Sequence, residues 1–364
     1  MKIAVDVQTL GRRRTGDETY YRNLISHYAA LKPEHDYSYY YTHPDAEPFL
    51  RGLAGNTRLR KMKLRNAFLR VPFSYPWQMM KEPVDVFHTQ YVGAAIGRTK
   101  LVLTIHDLSF EHYPETFRRD RALMLKLTRW SAKLASAVIT VSENTKRDLM
   151  SLYGTPAEKI HVIYNAAGAE FAPCTDADKL AGLRAQLGIR KDYFLFVGAL
   201  QPRKNLKRLL SAFRKAREKP GFDYQLVVVG AEAWGKNPLS RGQQDVLAPG
   251  YVDAASLPVL YSGATALAYP SLYEGFGLPA LEAMSCGTPV IASNSSCLPE
   301  ICADAAVYID PLDEADITRA LWAVHENPAL REKLHAQGLI RARRFSWSES
   351  ARRTLEVYEH VHAS

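Results

Sequence analysis

The chain has 364 residues, 47 Lys and Arg against 38 Asp and Glu, and a formal charge of +9. That length exceeds the usual span of one hydrophobic core and implies a globular protein of about two domains. The positive charge favours anionic partners, whether nucleic acid, a phosphorylated ligand or an acidic membrane surface. Cys174, Cys286, Cys297 and Cys302 lack both Cys-x-x-Cys spacing and a clustered His, which argues against a zinc site or disulfide framework and for a reducing cytosol.

The first residues, Met1 to Val7, reach an acid after three apolar positions and read as a strand rather than a signal peptide. No later segment holds the roughly 20 apolar residues that span a bilayer, so any membrane contact is expected to be peripheral. Short runs rich in Val, Ile and Tyr then alternate with helical patterns, the mark of a parallel sheet covered on both faces. A first series has strands at Lys2 to Val7, Tyr37 to Tyr41, Val84 to His88, Leu101 to His106, Ala137 to Val141 and Ile160 to Tyr164. Helices are expected between them at Glu18 to Leu31, Arg118 to Ser136 and Glu143 to Tyr153.

The segment Arg58 to Arg70 carries six cations and no acid among Leu, Met and Phe. It admits two readings, a patch for an anionic membrane surface or a half-buried strand with a wet basic face. Nucleic acid is the weaker partner, because no helix-turn-helix, zinc-finger or stacking-platform pattern accompanies the charge.

A polar bridge, Ala172-Pro173-Cys174-Thr175-Asp176, places a domain boundary near Ala172 and supplies an N-cap. Asp176-Ala177-Asp178 is explained by that cap, so no metal site is indicated. A second series follows at Tyr193 to Val197, Gln225 to Val229, Ala264 to Tyr269, Pro289 to Ala292 and Ala306 to Ile309. The tail from Ser346 to His362 reads as a helix with Ser346 as N-cap and Trp347, Leu355 and Tyr358 available for burial.

In two such doubly wound domains, ligands bind at the carboxyl ends of strands where the strand order reverses. Three loops lie at strand ends. After Ala264 to Tyr269 comes Ser271 to Glu282, in which Gly275 and Gly277 admit a ligand to the main chain and a helix opens near Leu278. Phosphate would repel Glu274 and Glu282, so they suit hydroxyls on either side of a diphosphate. A sugar nucleotide has that layout. After Tyr193 to Val197 comes Gly198 to Asn205, where Arg203 and Lys204 suit the diphosphate itself. After Leu101 to Ile105 comes His106-Asp107, where His106 suits a sugar hydroxyl or a proton-transfer role. Gly16-Asp17-Glu18 offers either a phosphate turn or acids that complement a helix dipole.

Two other chemistries compete. Gly275 to Ala280 matches the dinucleotide Gly-x-Gly-x-x-Ala pattern, with Glu300 downstream, but residues Pro270 to Glu274 separate it from its strand. Paired-carboxylate hydrolysis needs two acids facing one bond, whereas Glu274 lies in a loop and Glu282 a turn into the helix.

Taken with Thr104-Ile105-His106-Asp107, Val141-Ser142-Glu143, Gly250-Tyr251-Val252, Cys286 to Val290 and Phe345-Ser346-Trp347, the Glu-x7-Glu loop and the Arg-Lys pair resemble family 4 of the retaining glycosyltransferases of GT-B fold. The resemblance runs over nearly the whole chain. It implies two Rossmann-like domains, 1–172 for acceptor and 173–345 for donor, facing across a cleft, with 346–364 returning to the first. It implies that Glu274 and the main chain of Gly275, Phe276, Gly277 and Leu278 hold the donor sugar, and that Glu282 grips the ribose. Arg203 and Lys204, backed by Gly198, would hold the diphosphate, Val252 the base and His106 the sugar near its reacting carbon, with Gly16 beside the donor. It further implies metal-free transfer with retention, no cofactor, a nucleotide-sugar donor with GDP-mannose foremost, and a glycan or lipid-linked acceptor at the cytoplasmic face. Gly16-Asp17 stands where the family often has a glycine pair, and Asn165-Ala166-Ala167 where Asn-Gly is frequent. The competing classes are a nucleotide-sugar epimerase and a non-catalytic sugar-nucleotide or membrane-binding protein.

Overall fold

A computed structural model describes residues 1–11, 16–64, 66, 69–114, 121–231, 239 and 245–364. The chain forms two compact units, one of Met1–Glu111, Arg118–Asn165 and Ser346–Ser364, the other of His112–Phe117 and Ala166–Phe345. The chain thus passes from first to second after Asn165, where the sequence had suggested Ala172.

The first unit is built on a seven-stranded sheet in the order β3-β2-β1-β4-β5-β6-β7. The strands are β1 (Lys2–Asp6), β2 (Asp36–Tyr41), β3 (Thr57–Lys61), β4 (Val86–Gln90), β5 (Lys100–Ile105), β6 (Ala137–Thr140) and β7 (Ile160–Val162), all paired in parallel. Strands β1, β4, β5 and β6 are buried nearly throughout, which is why they read as continuous apolar runs rather than alternating ones. Right-handed crossovers that run the same way across a sheet share a face. The connections from β3 to β4, β5 to β6 and β6 to β7 all run toward β7. Their helices, Tyr75–Lys81, Arg121–Leu134 and Glu143–Tyr153, therefore lie together, and Tyr75, Met79, Ala132, Ala135 and Leu149 share one core cluster with Phe87 and Leu103. Helix Gly16–Ser26 takes the other face with the C-terminal helix Trp347–Ala363, which also contacts β4, β5 and β6.

That last helix is capped as the sequence predicts, Ser346 Oγ accepting from Glu349 N, and it buries Trp347, Leu355 and Tyr358. Its Tyr358 completes a buried polar chain. Tyr20 and Thr104 hydroxyls meet at 3.1 Å, Thr104 Oγ1 lies 2.7 Å from His88 Nε2, His88 Nδ1 lies 2.5 Å from the Tyr358 hydroxyl, and that hydroxyl lies 2.9 Å from Tyr28. Burial, aided by His106, pushes the His88 pKa down to about 3, so the ring is neutral and spans the chain as one donor and one acceptor.

One expectation in this unit is corrected and one alternative is decided. The helix read as Glu18 to Leu31 breaks at His27. His27 Nδ1 takes the Asn23 carbonyl at 2.8 Å, and His27 N turns to Leu24 O instead, so a second short helix, Tyr28–Leu31, follows. Of the two readings for Arg58 to Arg70, residues 57–61 form the edge strand β3. Arg60 is paired there through two nitrogens with Glu82, at 2.8 and 2.6 Å. Arg70 is fully buried, donating to the Tyr75 hydroxyl and the Leu64 carbonyl, so neither cation belongs to a free basic patch. Residues 65, 67 and 68 of that segment, Thr15 before the first helix, and the start expected for a helix at Arg118 lie outside the described residues.

The second unit is a six-stranded parallel sheet in the order β10-β9-β8-β11-β12-β13. Its strands are β8 (Tyr193–Val197), β9 (Gln225–Val229), β10 (Val246–Gly250), β11 (Ala266–Tyr269), β12 (Val290–Ser293) and β13 (Ala306–Ile309). Strand β10 escaped sequence analysis because Val-Leu-Ala-Pro-Gly is a partly exposed edge carrying a proline and a glycine. Helix Leu206–Arg217 buries Leu206, Leu209, Leu210, Phe213 and Ala216 at helical spacing against Phe194, Phe196 and Ile317. Each such large side chain contributes roughly 1.5–3 kcal/mol by burial. Asp176 caps helix Ala177–Leu187, accepting from the amides of Asp178 and Lys179.

Candidate active site

The order of the second sheet reverses between β8 and β11: the chain runs outward from β8 through β9 to β10, then crosses back to β11 on the other side of β8. The loops leaving the carboxyl ends of β8 and β11 therefore flank the natural crevice of a doubly wound sheet. Those loops carry Arg203, Lys204 and Glu274.

Asn205 fixes the geometry. It adopts φ 61°, a left-handed conformation that Asn tolerates, and starts helix Leu206–Arg217. Its side-chain amide donates to Pro270 O at 3.0 Å and Pro311 O at 2.6 Å, tying the end of β8 to the turns after β11 and β13. Leu272 N also donates to Arg203 O at 2.8 Å. The neighbouring cations are thereby aimed at one carboxylate: Lys204 Nζ lies 2.6 Å from Glu274 Oε1, and an Arg203 guanidinium nitrogen 3.1 Å from Glu274 Oε2. Tyr269, the last residue of β11, inserts its hydroxyl between them, accepting from Lys204 Nζ at 2.9 Å and donating to Glu274 Oε1 at 2.8 Å. Arg203 also donates to Tyr273 O and Gln201 Oε1, and the Ser296 hydroxyl accepts from Glu274 N.

Lys204, Glu274 and Tyr269 are all at least nine-tenths buried. Burial by itself would raise the Glu274 carboxyl, but Lys204 and Arg203 outweigh it and bring the pKa down to about 2. Glu274 is thus ionised at any physiological pH. Lys204 and Arg203 both face this one carboxylate, so an anion that took its place would meet an ammonium and a guanidinium together.

Gly198, at the end of β8, lies 3.6 Å from the Lys204 side chain when a Cβ is built on it, and Gly230, at the end of β9, passes so close that a Cβ would stand 2.0 Å from the Gly198 carbonyl. Gly277 has φ 86° at the mouth of helix Leu278–Ser285, where a Cβ would meet Leu298. That helix opens beside Gly275 and Phe276; in its first turn Pro279 has no N–H and Ala280 N donates to Gly277 O at 3.0 Å, so the Gly277 and Leu278 amides are the ones an anion could use.

Glu282 sits in a separate cluster. Half-buried, it accepts from the Tyr261 hydroxyl at 2.9 Å, and burial together with the charge of Glu170 carries its pKa up to about 7 despite that bond. Val252 is buried just beyond β10, whose Gly250 carbonyl accepts from Gly230 N at 3.1 Å.

His106 and Gly16 belong to the first unit. His106 follows β5, is buried, lies 2.9 Å through Nε2 from the Gln90 side-chain amide and packs edge-on to Tyr20 at 4.8 Å. Burial lowers its pKa, against the pull of Asp17, 3.8 Å away, and of Asp107. The ring is therefore neutral near pH 7, a hydrogen-bonding group rather than a cation. Gly16 opens the first helix next to that Asp17.

Sequence reasoning missed Tyr269, Asn205 and Gln90. Asn205 alone had a signal, an Asn directly before an amphipathic helix after a basic pair. Tyr269 and Gln90 look like ordinary strand residues until the loops are placed around them.

Residues 183–340 match the family model described as glycosyl transferases group 1, and residues 14–170 match that of glycosyltransferase family 4. The O-antigen chain mannosyltransferase B of Escherichia coli is 34% identical over 267 residues, covering 71% of this chain and 70% of the relative. The chain belongs to glycosyltransferase family 4. The O-antigen chain mannosyltransferase RfbU of Salmonella typhimurium is 30% identical over 237 residues, 62% of this glycosyltransferase and 61% of RfbU. Among solved structures, Anabaena HepE in complex with UDP-glucose superimposes with a TM-score of 0.78 at 18% identity, covering 99% of this chain and 100% of HepE. The fold is GT-B, and the two unit sheets are its Rossmann-like halves. No helix among the described residues is long and apolar enough to cross a membrane.

Proposed function

We propose that this glycosyltransferase moves mannose from GDP-mannose to a hydroxyl of a glycan or lipid-linked oligosaccharide during polysaccharide assembly, at the cytoplasmic face, with retention of anomeric configuration and without a metal ion. The observation that carries the reading is the cluster at the strand-order reversal in which Arg203 and the buried Lys204 converge on the buried Glu274. The names of the two mannosyltransferase relatives support the choice of sugar.

In this reading the donor diphosphate displaces Glu274 as the partner of Arg203 and Lys204. The freed carboxylate accepts from sugar hydroxyls, and Glu282 does the same for the ribose. The bond from the anomeric carbon to the phosphate oxygen breaks with its electron pair leaving on the diphosphate, whose growing charge the two cations stabilise. The acceptor oxygen forms the new bond on the same face, and its proton passes to the departing phosphate oxygen. His106, being neutral, suits a hydrogen bond to a sugar hydroxyl.

Arg203→Ala and Lys204→Ala, separately and together, should weaken GDP binding far more than guanosine binding by calorimetry. An equal loss for both ligands sinks the phosphate clamp. With the wild type, product formation from GDP-mannose should survive EDTA and give the anomeric configuration of the donor by NMR. Transfer from UDP-glucose alone would redirect the donor assignment.

A further inference from the structure

The second unit has a cavity at the end of its sheet opposite the cluster at Glu274. It opens where β9, β8 and β11, neighbours in that order, begin: Tyr224, Asp192 and Thr265 line it, and each immediately precedes one of these strands. Helix Pro328–Ala342 contributes Arg331, Glu332 and His335 to the same lining. The volume is about 350 Å³, within the range of small-molecule sites. The residues of β8, Tyr193–Val197, at roughly 3.3 Å each set it about 16 Å from the loop that carries Arg203 and Lys204.

Several of its polar groups are held in place. Arg331 gives Nη1 to the carbonyls of Val324 and His325, at 2.6 and 2.8 Å, which leaves Nε and Nη2 as donors. His335 lies on Gly287, where a built Cβ would stand 2.5 Å from the ring, and its Nδ1 donates to the Gly287 carbonyl at 2.6 Å. In the neutral ring Nε2 is then an acceptor. Tyr224 is fixed by its hydroxyl, 3.2 Å from His325 Nδ1, and by Phe222, whose ring centre is 5.0 Å away. Asp192 and Glu332 add carboxylate acceptors, and the Thr265 hydroxyl can both donate and accept. Two carboxylates against one guanidinium disfavour a phosphate, whereas hydroxyls, which donate and accept, suit every one of these groups.

We propose that this cavity is a second carbohydrate site, which holds a sugar residue of the growing glycan away from the crevice at Glu274. The glycan as source rests on the proposed function, while the neutral, hydroxyl-rich character of the ligand rests on the cavity alone. A glycan seated there stays attached between turnovers, so the site favours long acceptors over short ones.

The test is calorimetric titration of the whole chain, without donor, with an α-linked mannotriose, methyl α-mannoside and inorganic phosphate. Wild type should bind mannotriose more tightly than the monosaccharide. Asp192→Asn with Glu332→Gln, both at exposed positions, should lower mannotriose affinity about tenfold or more. The same double variant should keep its melting temperature, its GDP affinity and its transfer to a monosaccharide acceptor, while KM for a long glycan acceptor rises. Unchanged mannotriose affinity in the variant, or phosphate binding that the variant strengthens, would overturn the carbohydrate site. Equal affinity of the wild type for methyl α-mannoside and mannotriose would overturn the glycan as its source. Because binding is read without donor, these outcomes stand apart from mannose transfer: a chain that transfers another hexose is titrated with the triose of that hexose and judged by the same variant.

Discussion

Glu274→Gln has an effect whose sign follows from the cluster and runs against the usual outcome of mutating a binding residue. In the wild type, Glu274 faces the buried Lys204 and the partly buried Arg203, so an incoming diphosphate must displace a carboxylate held by Lys204, Arg203 and Tyr269. At an effective dielectric near 20, a carboxylate about 8 Å from a phosphate repels it by roughly 2 kcal/mol, a factor of about thirty in affinity before screening. Glutamine keeps the shape and removes that charge. GDP should therefore bind the variant about ten- to thirtyfold more tightly, whereas mannose transfer falls because the carboxylate acceptor for the sugar is gone. A buried Lys204 without its counter-charge should also lower the stability of the free protein by about 3–5 kcal/mol, and GDP should restore much of it. Calorimetry with GDP and melting with and without GDP measure both. Because the Glu274 pKa is about 2, the difference between variant and wild type should be flat from about pH 5 to about pH 9. Weaker or unchanged GDP affinity, with the free variant as stable as wild type, would refute the electrostatic reasoning.

Two further outcomes can be checked. Tyr269→Phe deletes a hydroxyl bonded to both members of the buried ion pair, and losing such charge-assisted bonds costs about 1.5–3 kcal/mol. Its kcat should drop by roughly tenfold or more with KM little changed, and wild-type kcat in the variant would remove Tyr269 from the positioning role. Glu282 has a folded pKa near 7, above its unfolded value, so its protonated form is the one the fold favours. The resulting stability is fully present below about pH 4.5 and is lost as pH rises through about 7, at most about 3 kcal/mol and less for a half-buried group. Chemical denaturation of Glu282→Gln across that window should show a flatter pH profile than wild type, and parallel profiles would contradict the shifted carboxyl.

Much of this was legible in the chain itself. The buried central strands announce themselves as apolar runs because both faces of a parallel sheet are covered, and Ser142, Asp176 and Ser346 mark helix starts through hydroxyl or carboxylate caps seen in the structure. Glu274, Arg203 and Lys204 stood out because charged residues at the ends of such strands have few structural reasons to be there. What stayed hidden depends on distant partners. Nothing local marks Tyr269 as the hydroxyl between an ammonium and a carboxylate, or His27 as the residue whose ring takes a helix carbonyl. Arg70 looked like its exposed neighbours until the fold enclosed it beside Tyr75. Charge count could not separate Arg60, held by Glu82 from a distant turn, from cations facing water.

The polar chain that ends at Tyr358 sets the order in which the molecule can be completed. Its last partner, and the apolar side of the helix that carries it, leave the ribosome only after every residue of the second unit has been made. Until then water takes the place of the Tyr358 hydroxyl at His88 Nδ1, and the face of the sheet under that helix stays wet. The amino-terminal half, though translated first, therefore cannot be completed until the last helix has been made.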